Sequence, residues 1–147
     1  MQSAVTTDRN AAARQEAPAL ARYLPATARI VMGLVFLIMG LNGFLSFLPQ
    51  PATLPAKGVA FFGAMMQTGY LVPLISGTQV VVALLLLSNR FVPLALAIIA
   101  PVVVNIALYH AFLSPTAGVP LAAVILALEL YLAWVYRAAF RPMLGAR

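Results

Sequence analysis

The chain has 147 residues, of which 63% are hydrophobic and only 8% charged, with nine basic and three acidic side chains. A soluble domain carries roughly 25% charged residues, so no water-compatible surface can be assembled from this set, and the sequence reads as an integral membrane protein. The formal charge of +6 gathers at the ends of apolar runs, as topology determinants do and a nucleic-acid footprint does not, and the 0 cysteines exclude disulfides, iron–sulfur ligation and thiol relay within the chain.

Residues 1–25 read as a polar, alanine-rich cytoplasmic tail carrying Asp8, Arg9, Arg14, Glu16 and Arg22, either disordered or a frayed surface helix. Asp8 and Glu16 argue against a transit peptide, and the apolar run that follows is too long for the h-region of a cleaved signal. Residues 26–147 form the membrane domain. Four runs within it reach the roughly 20 residues needed to cross a bilayer. They extend from Thr27 to Leu48, Tyr70 to Ser88, Phe91 to Phe112 and Val119 to Phe140. The expected fold class is therefore all-α, a bundle of four transmembrane helices.

The first connection opens with "PQPATLPAKG", whose Pro49, Pro51 and Pro55 favour an extended path. The apolar segment that follows, 58–69, is too short to span and is expected to lie as an interfacial or partly re-entrant helix over one end of the bundle. Asn89-Arg90 closes a tight hairpin, and "SPTAGVP" (Ser114 to Pro120) makes the last turn. Arg14, Arg22, Arg29, Arg90, Arg137, Arg141 and Arg147 all fall on one side and only Lys57 on the other. The positive-inside rule then places both termini in the cytoplasm.

Each span carries polar groups. Asn42 and Ser46 share a face of the first, Ser76 and Gln79 a face of the second, and Asn105 and Tyr109 a face of the third with His110 beside them. Glu129 is the one acidic residue within the spans, with Tyr136 on nearly its face. Counting residues at about 1.5 Å of rise puts Asn42 and Asn105 roughly 9 Å, and Gln79 and Glu129 roughly 13 Å, below the non-cytoplasmic face. A single polar layer is thus expected, with His110 at its outer rim.

A carboxyl at such a depth is expensive, so Glu129 is expected to face the bundle interior, protonated or hydrogen-bonded by Asn105, Gln79 or Tyr109. There it can exchange a proton or bind a polar head group, or it can simply join helices. His110 reads as a hydrated rim residue or as a partner in proton exchange or quinone binding. As the chain's sole histidine, with no cysteine, it can complete neither a haem ligand pair nor a metal site. Asn42, Gln79 and Asn105 carry the same two readings, ligand group or helix glue. Gly33, Gly40 and Gly43 form a stripe for close packing, and Trp134, Tyr131 and Tyr136 an aromatic belt. Phosphate-binding loops, dinucleotide fingerprints and paired carboxylates are absent from the sequence.

The order of "RIVMGLVFLIMGLNGF", "FFGAMMQTGYLVPLISG", "GTQVVVALLLLSNRFVPLAL" and "NIALYHAFLSPTAGVP" resembles the DoxX-like family of small bacterial membrane proteins, over nearly all of Ala28 to Leu144. Many members carry a glutamate in the second helix where this chain has Gln79. The resemblance implies a four-helix bundle in the cytoplasmic membrane and an accessory role in a redox system, with a quinone as the candidate cofactor and a redox subunit or a second copy as partner. The leading expectation is such an accessory subunit, not catalytic alone. A small-solute or proton carrier and a scaffold without chemistry are the alternatives.

Overall fold

A computed structural model describes residues 2–49, 54–115 and 118–144, with side chains described from residue 23 to residue 141 of these. They form six α-helices and no strand. The helices are α1 (Gln2–Leu45), α2 (Ala56–Gln67), α3 (Leu71–Leu87), α4 (Val92–Leu108), α5 (Val119–Val135) and α6 (Arg137–Leu144). A π-helical turn, Tyr109–Leu113, extends α4.

The all-α expectation holds, but the element boundaries differ from it in three places. The alanine-rich tail is helical and runs without a break into the first apolar segment, in keeping with the high helix propensity of alanine. Among the described residues two helices are long and apolar enough to cross a membrane, Tyr23–Leu45 and Val92–Leu113, and a third counts if α2 and α3 form one span broken by a 91° bend. The fourth apolar run is divided: α5 ends at Val135, Tyr136 leaves the helical region (φ −91°, ψ 10°), and the basic α6 begins. Both α3 and α5 have 17 residues, about 25 Å of rise against a hydrocarbon core of about 30 Å.

The bend before α3 is local chemistry. Gly69 adopts φ +74°, which only glycine takes without strain, and α2 terminates there. At the far end of α3, Asn89 (φ 56°) is the left-handed residue of a Schellman turn. Its N–H donates to Leu86 O at 3.2 Å, and the N–H of Arg90 donates to Leu85 O at 3.0 Å. That turn reverses the chain into α4, forming the expected hairpin.

The core is built from Met32 and Phe36 of α1, Val82, Ala83 and Leu86 of α3, Ala95, Leu96, Ile99 and Val103 of α4, and Ile125 and Leu132 of α5. Helices α1 and α3 pack most closely. A Cβ placed on Gly40 would stand 2.9 Å from Ser76 O and 2.8 Å from Val80 Cγ2, so the glycine stripe is what lets the two backbones approach. Outward-facing Ile30, Leu34, Ile38, Leu84, Leu94 and Val124 are all exposed, a distribution suited to lipid and costly in water. At the α5–α6 junction the guanidinium of Arg137 stacks 4.7 Å over the Trp134 ring and donates to Trp134 O at 2.9 Å.

Candidate functional site

The polar residues of the apolar runs converge at the end of the bundle where α2 packs against α3 and the π turn. Two adjoining cavities, of about 270 and 340 Å³, share Asn42, Gln79, Ile106 and His110 in their linings. Phe62 and Met65 of α2 also face both cavities, while Phe61, Asn105 and Tyr109 face the larger. Together they make a greasy recess set with hydrogen-bonding groups, of a size suited to a small molecule.

Each group is placed by its own helix end. On α1, the Oδ1 of Asn42 accepts the backbone N–H of Leu48 at 2.7 Å, closing the chain over the helix terminus where Ser46 turns left-handed (φ 50°). On α3, Gln79 is 8% exposed and makes no hydrogen bond to another described residue, so its amide is turned to the cavity without a partner. The extra residue of the π turn rotates the end of α4. The N–H of Ser114 reaches back five residues to Tyr109 O at 2.9 Å, and Tyr109 and His110 both come to face the cavity. Such insertions recur at functional sites.

Close packing fixes the two rings. Tyr109 meets His110 edge-on at 5.2 Å and Phe61 at 5.9 Å. Its hydroxyl lies against Gly58, where an added Cβ would be 2.7 Å away. The His110 imidazole rests on Gly118 at the head of α5, with Nδ1 3.4 Å from Ser114 O. Their amide, phenol and imidazole groups can orient a ligand carrying carbonyl or hydroxyl groups. Among the described residues no three His, Cys, Asp or Glu side chains come together to hold a metal.

The expected polar layer is therefore divided. Asn42, Gln79, Asn105, Tyr109 and His110 share the cavity, whereas Glu129 does not line it. Glu129 is 6% exposed on the inner face of α5, between Ile125 and Leu132, and its Oε2 has no hydrogen-bond partner among the described residues. The expected bonds from Asn105, Gln79 or Tyr109 to this carboxyl are not formed. The reason is azimuthal: Asn105 is two residues past the buried Val103, about 200° around the helix, and it faces α2 and the exterior rather than α5. His110, expected at the outer rim, is half-buried and lines both cavities.

One polar residue acts in a way its sequence position did not announce. Arg29 is 9% exposed and donates to the carbonyl of Leu86, capping the C-terminal turn of α3. Its signal was its place two residues inside an apolar run rather than outside it.

Comparison of the chain with protein-family models, with curated proteins and with solved structures yields no match.

Proposed function

We propose that this protein is a DoxX-like, multi-pass protein of the bacterial inner membrane that holds a quinone ring in the cavity beneath α2, as an accessory subunit of a membrane redox system. The observation that carries the reading is the unpartnered, nearly buried amide of Gln79 facing a recess shared with Tyr109 and His110 and walled by Phe61, Phe62 and Met65. Amide, phenol and imidazole donors match quinone carbonyls, and the aromatic and thioether walls match its ring. Four spans are part of the proposal. A shortfall of about 5 Å in α3 and α5 is met by local thinning of the bilayer or by snorkelling of flanking residues. The one-sided arginines then put both termini in the cytoplasm and the cavity toward the opposite face. The redox partner, or a second copy of this chain, would sit on the exposed apolar faces.

Titration of the purified protein with a short-chain quinone tests the reading. Saturable binding that weakens about two- to tenfold in Gln79→Leu, through loss of a hydrogen bond worth about 0.5–1.5 kcal/mol, supports it; binding indifferent to Gln79→Leu and Tyr109→Phe rejects it.

A second reading, a proton or small-solute carrier, draws on the buried carboxyl of Glu129. It predicts pH-driven flux in liposomes that Glu129→Gln abolishes.

A further inference from the structure

Glu129 lies outside the cavity, yet its position is tied to it. Ile125, four residues earlier on α5, lines the cavity and shares the buried face of Glu129. In an α-helix the Cα–Cβ bonds tilt toward the N-terminus, and the N-terminal half of α5 is the part that lines the cavity, through Leu121, Ala122 and Ile125. The Cα–Cβ bond of Glu129 is therefore inclined toward the turn that carries Ile125. Phe36 of α1 lines the same recess, and the two are almost sealed, at 1% and 4% exposure. A carboxyl that only joined helices would end on a donor. The Oε2 of Glu129 is buried and ends on none among the described residues.

We propose that Glu129 is a gated proton-binding site at the inner end of the cavity, with Phe36 and Ile125 as the gate that this structure holds closed. When the two side chains part, a water in the cavity reaches the carboxyl. The O–H bond breaks, the proton leaves with that water, and the carboxylate keeps the electron pair until a proton returns by the same route. The site uses the cavity but not its occupant, so it stands or falls separately from quinone binding.

The test is carbodiimide-driven amidation of the full-length protein in micelles, using a water-soluble carbodiimide and an amine nucleophile. Adducts are quantified by peptide mass spectrometry. The chain has three acidic residues, Asp8, Glu16 and Glu129, and the first two are the internal reference. In the wild type Glu129 reacts far more slowly than that reference. Phe36→Ala and Ile125→Ala raise its rate by roughly 10- to 1,000-fold, the factor by which a gate open about 0.1–10% of the time becomes permanently open. The milder Phe36→Leu and Ile125→Val, which keep the core filled, give the same ordering with smaller rises. Val92→Ala, a cavity in the core that does not line this recess, leaves the rate unchanged. The proposal is overturned if wild-type Glu129 already reacts like the reference, if neither gate position alters its rate, or if Val92→Ala raises it as much.

Discussion

Gly118→Ala tests how the site is held together more sharply than deleting any of its polar groups. Gly118 has φ −76°, an ordinary value for alanine, so the substitution introduces no backbone strain. What it introduces is a methyl 2.7 Å from Nδ1 and 3.0 Å from Nε2 of His110, overlapping Cε1. The imidazole must leave its seat, giving up the edge-on contact with Tyr109 and its place in the cavity lining. Overpacking of this kind costs about 1–3 kcal/mol. His110→Ala alone loses the aromatic contact, about 0.5–1.5 kcal/mol, but leaves no clash. The double variant should therefore match His110→Ala to within about 0.5 kcal/mol, giving a negative coupling of about 1–3 kcal/mol. Equilibrium unfolding in mixed micelles, followed by far-UV circular dichroism, measures all four corners of the cycle. Strict additivity, or a Gly118→Ala protein as stable as the wild type, would refute the packing of His110 on the head of α5.

Four further outcomes follow from the packing of the helices. Gly40→Val should destabilise by about 1–3 kcal/mol, because its branches meet the backbone of α3. Gly63→Ala, with nothing within 4 Å, should gain up to about 1 kcal/mol of helix propensity; equal effects in unfolding would contradict the close α1–α3 approach. Arg29→Met should cost about 1.5–3 kcal/mol by removing a charged donor from the Leu86 carbonyl, and a neutral result would mean the cap is not formed. Glu129→Leu should stabilise by up to about 1–3 kcal/mol, since an unpartnered buried oxygen is replaced by an apolar group. A less stable Glu129→Leu protein would reveal a partner for the carboxyl.

Much of the fold was legible because apolar composition and turn chemistry are local. Asn89 at a left-handed position marked the α3–α4 hairpin, and Gly33, Gly40 and Gly43 marked the α1–α3 contact. The break at Tyr136 was not legible, because Tyr131 to Phe140 remains apolar or amphipathic across it and carries no glycine or proline. The site was half legible. Depth along the helices grouped Asn42, Gln79 and Asn105, which line one cavity, since rise per residue is fixed. It misplaced Glu129, because depth says nothing of azimuth: Asn105 turns toward α2 while Glu129 turns toward the core between Ile125 and Leu132. The π turn that brings His110 inward is set by backbone hydrogen bonding, the N–H of Ser114 to Tyr109 O included, which no pattern of side chains encodes.

Gentle extraction of the wild type and of the Gln79→Leu/Tyr109→Phe double variant, followed by mass spectrometry of co-purifying lipophiles, addresses the central proposal directly. A neutral ring compound held in the cavity beneath α2 predicts a quinone near one equivalent per wild-type chain and its loss from the double variant. Wild-type protein free of any quinone, or a double variant that retains it in full, would contradict the account.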